Sequence, residues 1–184
     1  MRRLEIPGDI RFVTFSCNHR LPLLRNPEIA TICQEAVIAA RERFGFQLFA
    51  WVIMPEHVHL LARPADRTPL SRALLAIKLS VSERVLPRWR ELNAPVLDRI
   101  VHNDGKARFW LKGGGFDHNV RDEGSLRKFI WYIHRNPVER GLVDTPSDWR
   151  LSSVRWWMGE RNGQLQCDSP PGDPRYWIAW DGYQ

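Results

Sequence analysis

Apolar and polar positions alternate with period two from Ile10 to Cys17, mixing β-branched and aromatic residues with polar ones, which predicts a strand. The pattern then changes period. Ile29, Ile32, Cys33, Val37, Ala40 and Phe44 fall at helical spacing behind Asn26-Pro27, a capping residue followed by proline at the first helical position, and Gly45 supplies the stop. Phe46 to Met54 predicts a second strand, Pro55-Glu56 a turn, and His57 to Arg63 a third strand, the two strands pairing as a hairpin. Thr68-Pro69 repeats the cap-then-proline signature ahead of a second helix, with Leu70, Ala73, Leu74, Ile77, Val81 and Val85 on its apolar face and Arg72, Lys78 and Arg84 elsewhere. Residues 87–105 read as irregular. Arg108 to Lys112 predicts a short fourth strand before the glycine run Gly113-Gly114-Gly115. Glu123 to Asn136 predicts a third helix with Leu126, Phe129, Ile130 and Ile133 toward the core, ended by Pro137 and Gly141.

The order β-α-β-β-α-β followed by an additional helix predicts an α+β, ferredoxin-like antiparallel sheet with an added C-terminal helix, its first and third strands central. Residues 1–158 form one expected domain, and 159–184, polar and proline-interrupted until Tyr176 to Trp180, a loosely attached tail with an aromatic anchor.

Charge alters this picture more than composition does. The chain carries 27 Lys and Arg against 21 Asp and Glu, a net charge of +6 and a pI near 9.7, with arginine the dominant cation. Arginine's planar fork suits phosphate. Its nine tryptophans, beside arginines, suit single-stranded nucleic acid, whose bases stack and whose backbone needs neutralising. The competing explanation is that tryptophans fill cores and that the excess charge is modest. No run approaches the ~20 apolar residues of a membrane-spanning helix, and Met-Arg-Arg leads into no signal-peptide core. Cys17, Cys33 and Cys167 lack metal-type spacing and leave one unpaired, so a reducing, cytoplasmic setting is expected.

Candidate chemistry centres on Pro55-Glu56-His57-Val58-His59. A strand repeats every two residues, so His57 and His59 project from one face and can ligate a common metal ion. On the third helix Tyr132 and Asn136 lie four residues apart and share a face, with Lys128 one turn earlier. Two imidazoles and an amide oxygen leave coordination positions open on a divalent ion, as at a catalytic site. A nearby tyrosine is then a plausible covalent nucleophile. Spacing alone equally allows hydrogen-bonded core histidines, a capping Asn136 and a half-buried packing tyrosine.

In combination, Pro55 to Leu61, Trp131 to Val143, Arg108-Phe109-Trp110 and Asp148 to Ser153 resemble the single-tyrosine, His-hydrophobe-His (IS200-like) transposases, most closely the REP-associated tyrosine transposases. The resemblance runs from about residue 8 to 158. It implies that His57, His59 and Asn136 hold Mg²⁺ or Mn²⁺ and that Tyr132 attacks a phosphate of single-stranded, hairpin-bearing repeat DNA, leaving a 5′-phosphotyrosine link and a free 3′-OH that rejoining consumes. Glu56 stands where asparagine is also common. His134 and Arg135 are expected to be structural or DNA-contacting. Arg63, Lys112, Arg121, Arg127 and Lys128 are expected to line a DNA groove with exposed tryptophans, and the glycine run to approach a phosphate closely. The implied setting is cytoplasmic and nucleoid-associated. The implied state is monomer or homodimer, since insertion-sequence relatives are dimers that trade tyrosine helices whereas the REP-associated subgroup is described as monomeric. Two rivals remain at this point. One is a replication initiator or relaxase, which the short chain and the Tyr132-to-Pro137 context oppose. The other is a non-catalytic RNA- or DNA-binding module, which requires aromatics on an exposed sheet face.

Overall fold

A computed structural model describes residues 8–66, 68–113 and 115–171. It contains strands β1 (Ile10–Ser16), β2 (Gln47–Ile53), β3 (His57–Arg63) and β4 (Asp117–Val120), and helices α1 (Pro27–Phe44), α2 (Leu70–Glu91), α3 (Glu123–Glu139) and α4 (Val154–Trp157). The strands form one antiparallel sheet in the order β2-β3-β1-β4, so β1 and β3 are central as the pattern predicts.

Side-chain alternation gives each face its own core. Val13 and Phe15 of β1, Cys17 just past it, and Val58, Leu60 and Ala62 of β3 pack beneath Ile29, Cys33 and Val37 of α1 and Leu70, Ile77 and Val81 of α2. Opposite them, Ile10, Phe12, Phe49, Val52 and Leu61 pack beneath Leu126, Ile130 and Ile133 of α3. The His57–His59 face is therefore the α3 face, which places the two candidate motifs against each other. Register ties His59 to Thr14 and His57 to Ser16 across the β1–β3 pair.

α1 starts as its sequence dictates. The Asn26 side chain accepts from the backbone N–H groups of Glu28 and Ile29, and Gly45 closes the helix at φ 65°, its N–H donating to the Arg41 carbonyl. α2 differs. Pro69 is the flanking residue, Thr68 provides no side-chain cap, and the helix runs through Pro87 to Glu91. Pro87 is exposed, so the carbonyl it leaves unpaired faces solvent. α3 likewise passes Pro137, ending at Glu139, with Gly141 at φ 64° just beyond.

The expected fourth strand at Arg108–Lys112 is not one. Its sheet contact is a single bridge between Trp110 and Cys17, and the successive residues Phe109 and Trp110 both join the core beneath α1 and α2, whereas strand alternation would send them to opposite faces. The Phe109 ring stacks on Trp89 and the Trp110 ring lies edge-on to Phe15. The fourth strand is instead the polar Asp117-His118-Asn119-Val120, paired to β1 and pinned by Arg11, which donates twice to Asp117 at 3.0 and 2.6 Å.

Past α3, residues 151–153 add a short rung to the outer edge of β2. Ile53 N–H donates to the Leu151 carbonyl and Ser153 N–H to the Trp51 carbonyl, covering an edge that would otherwise template other strands. The stretch expected to be loose is tied down where it is described: Leu165 and Cys167 are buried, Asp168 exchanges hydrogen bonds with the Leu48 backbone, and Arg41 pairs with Asp168 at 2.8 Å. Tyr176 to Trp180 lies outside the described residues. All three cysteines are free thiols, and no helix among the described residues is long and apolar enough to cross a membrane.

Candidate active site

The strand holds both histidine rings from behind and leaves their inner nitrogens facing one another. His57 Nδ1 donates to Glu56 Oε1 at 3.1 Å, while His59 Nδ1 and the Thr14 hydroxyl lie 2.7 Å apart. The two Nε2 atoms are 2.9 Å apart. Cis ligands at the ~2.0–2.1 Å bond length of a small octahedral ion sit about 3 Å apart, so this separation suits a shared cation. Outer partners that orient an imidazole and fix its tautomer accompany most metal-binding histidines.

Both rings are buried, 3% and 4% exposed. Burial is the main reason the His57 pKa lies below the ordinary imidazole value, opposed by the Glu56 carboxylate. Burial lowers His59 further, helped by the charges of His57 and Arg20. Neutral imidazoles with free inner lone pairs are what a divalent cation requires.

α3 brings the rest. The Tyr132 ring lies 5.3 Å from that of His59 and edge-on to Phe12 at 5.8 Å, and the side chain is 36% exposed. The phenol therefore borders the histidine pair while staying open to a substrate. One turn later, Asn136 is 5% exposed, and its Oδ1 has no hydrogen-bond partner among the described residues. It does not cap the helix, lying within it. An orphaned buried carbonyl-type oxygen, one turn from Tyr132 on the helix that packs over the histidine face, fits a hard divalent ion. Among the described residues no group of three or more His, Cys, Asp or Glu side chains gathers, so the donor set that could hold such an ion is His57, His59 and Asn136. Arg140, just past α3, reaches Glu56 Oε1 at 2.8 Å, linking the helix end to the carboxylate that orients His57. The importance of Thr14, Glu56 and Arg140 was not legible beforehand, because it depends on strand register and on where α3 ends.

His134 points elsewhere, as expected. It is fully buried, its Nε2 lies 2.8 Å from Ser153 Oγ, and burial drives its pKa down to about 3. Arg135 lies over the Trp131 ring at 5.6 Å.

The expected DNA-contacting residues do not form one cluster. Arg63 ends β3 opposite the start of β1, at the end of the sheet where Arg121 follows β4 and where α3 begins with Arg127 and Lys128. Lys112 lies toward the other end, across β1 from His57, where Leu111 N–H donates to the Ser16 carbonyl. Lys112, Arg121 and Lys128 are exposed, Arg127 pairs with Glu123 at 2.6 Å, and Arg63 contacts Gln47 at 3.3 Å and the Phe49 ring. The tryptophans are mostly structural. Trp51 and Trp110 are buried, Trp149 and Trp157 donate to the Ile53 and Phe49 carbonyls, and Trp131 is the exposed one among the described residues. A binding module reading bases on an open sheet face is not what this surface offers, since α3 covers the histidine face.

A strand bearing two convergent imidazoles beneath a tyrosine helix defines a compact site suited to phosphate chemistry. The family model described as "Transposase IS200 like" matches residues 10–106, which include both histidines and stop short of α3. The chain belongs to the IS200-like transposase family and is an enzyme acting on DNA. A REP-associated tyrosine transposase of Escherichia coli (strain K12) is 27% identical over 154 residues, which cover 83% of this chain and 80% of that protein. Among solved structures, a REP-associated tyrosine transposase bound to a REP hairpin has the same fold, with a TM-score of 0.69 at 23% identity over 94% of this chain and 93% of that one.

Proposed function

We propose that this chain nicks and rejoins single-stranded, hairpin-bearing repeat DNA through a 5′-phosphotyrosine intermediate. The observation that carries the reading is the pair of buried, outwardly anchored imidazoles whose inner nitrogens lie 2.9 Å apart beneath an accessible tyrosine.

Tyr132 Oη attacks the scissile phosphorus; the Oη–P bond forms as the P–O3′ bond breaks, and the proton lost by the phenol is balanced by the one gained at the departing 3′ oxygen. Rejoining is the reverse, with the 3′-OH attacking and Tyr132 released. His57, His59 and Asn136 would hold a divalent ion, Mg²⁺ or Mn²⁺, which would supply polarisation of the phosphate and neutralisation of developing charge. Glu56 and Thr14 keep the two imidazoles aimed, and Arg140 holds Glu56 in place. Phe12, stacked on His59 at 5.2 Å, walls one side of the site from water. Because tyrosine and histidines meet within a single chain, a monomer suffices for cleavage. The E. coli relative's name and the hairpin-bound structural neighbour favour a hairpin-bearing repeat as substrate.

Changing His57 and His59 together to alanine should abolish cleavage of a single-stranded repeat oligonucleotide while leaving binding nearly intact, since affinity rests mainly on phosphate contacts. A chelator should do the same to the unaltered protein. Cleavage that survives either treatment contradicts the assignment.

A further inference from the structure

Phe116 is 59% exposed, the most exposed large apolar side chain among the described residues, yet it is firmly placed. Its carbonyl accepts the Thr14 N–H at 2.8 Å. The preceding Gly115 lies so close to β1 that a Cβ there would fall 1.3 Å from the Thr14 carbonyl oxygen, so only glycine allows the approach. The Phe116 ring is nearly parallel to that of exposed His118, 6.1 Å away at 10°. It is also edge-on to Phe12 at 5.8 Å. His118 leans on Phe129, and Phe129 stacks on Phe12 at 4.4 Å. Phe12 in turn touches both His59 and Tyr132. Rings thus run without a break from the tyrosine to the β4 edge, where two of them open to solvent.

The surroundings indicate what covers them. Exposed Lys112 and Arg121 flank the segment in sequence, and Asp117 turns its charge to the other face, into the buried pair with Arg11. Asp122 is engaged in capping α3 through the Ser125 N–H. Flat apolar faces on a segment flanked by cations that form no ion pair among the described residues match an unpaired nucleobase on a phosphate backbone better than an apolar peptide.

We propose that Phe116 and His118 form a stacking site for one unpaired base of the DNA strand, within a nucleotide or two of the phosphate presented to Tyr132. The inference rests on the DNA-nicking reading above and adds to it the residues that hold the strand in register.

The probe is a single-stranded oligonucleotide of the repeat flanking the gene, carrying 2-aminopurine at successive positions, with its blunt hairpin stem as control. With the full-length protein one position should be quenched on binding. Phe116→Ala should abolish that quenching and weaken binding of the single strand about tenfold, within the range for loss of one base–aromatic stack. The salt dependence should be unchanged, as no phosphate contact is removed. Phe116→Trp should retain affinity, and both variants should bind the blunt stem like the parent. Parental affinity and quenching in Phe116→Ala, while the parent still forms its covalent tyrosine adduct, overturn the stacking site alone. A parent that neither binds the strand nor forms an adduct overturns the functional reading and this inference together.

Discussion

Asn136 sits 5% exposed within α3 with an Oδ1 that finds no partner among the described residues, a state that costs about 1–3 kcal/mol unless a partner arrives. Asn136→Leu replaces the amide with a larger apolar group of the same branched shape and removes that cost. In the absence of divalent ions the variant should melt higher than the parent, and the stabilisation that Mn²⁺ gives the parent should shrink. Paired thermal melts with and without Mn²⁺ test this; a lower melting point with an unchanged Mn²⁺ response would make Asn136 an ordinary structural residue. The imidazoles carry a second expectation. His57, His59 and His134 all have pKa values lowered mainly by burial, His134 to about 3. In the unfolded chain each takes up a proton near pH 6.5, whereas folded they resist it, so below that pH the unfolded state binds more protons. Metal-free stability should therefore be full above about pH 6.5 and fall as the pH drops, by up to about 1.4 kcal/mol per pH unit for each imidazole. Urea midpoints at pH 7.5 and 5.5 measure the slope, and His134→Gln should reduce it. A flat profile between those values would contradict the neutral, buried assignment.

Among the elements, those whose own residues carry the signal were readable before the structure. β1, β2 and β3 show period-two or continuous apolar runs, and α1 has both its Asn26 cap and its Gly45 stop. What was not readable depends on partners distant in the chain. β4 has almost no hydrophobic pattern, and exists because Arg11 and the free edge of β1 receive it. Arg108–Lys112 looks like a strand by residue type, yet Phe109 and Trp110 both turn inward to fill the core. Prolines suggested helix ends at 87 and 137, and in both cases packing of the flanking buried residues carries the helix past them. That His57 and His59 share one face, and Tyr132 and Asn136 another, was legible because strand and helix periods place them; Thr14 was not, since its contact follows from cross-strand register, nor Glu56, whose contact with the next residue depends on side-chain geometry at the turn. Gly115 offers a test at this scale. Gly115→Ala should push the 115–116 backbone off β1, loosening the Thr14 anchor of His59. Divalent-ion affinity should fall, in the ~10–100-fold range typical of lost outer partners of a ligand, with most of the helical and sheet signal retained. Unchanged ion affinity would show that Thr14 does not depend on this contact.

For the molecule as a whole, one sheet serves two purposes. The face under α1 and α2 is a core in the ordinary sense, whereas the face under α3 combines a core with the candidate site around His57, His59 and Tyr132. The expected DNA-contacting cations lie at both ends of the sheet rather than in one groove, so a strand that met Arg121 and Lys128 at one end and Lys112 at the other would have to run along α3. The account turns on Tyr132 as the attacking group, and its most direct measurement is a denaturing gel of the protein incubated with a single-stranded repeat oligonucleotide labelled at its 3′ end, with Mg²⁺ or Mn²⁺ present. The parent should retain the label as a covalent adduct that maps to Tyr132. Tyr132→Phe, which removes one partly exposed hydroxyl and should leave stability within about 0.5 kcal/mol, should yield none. A labelled adduct of the same size from the Phe variant, or cleavage by the parent without any adduct, would contradict the account.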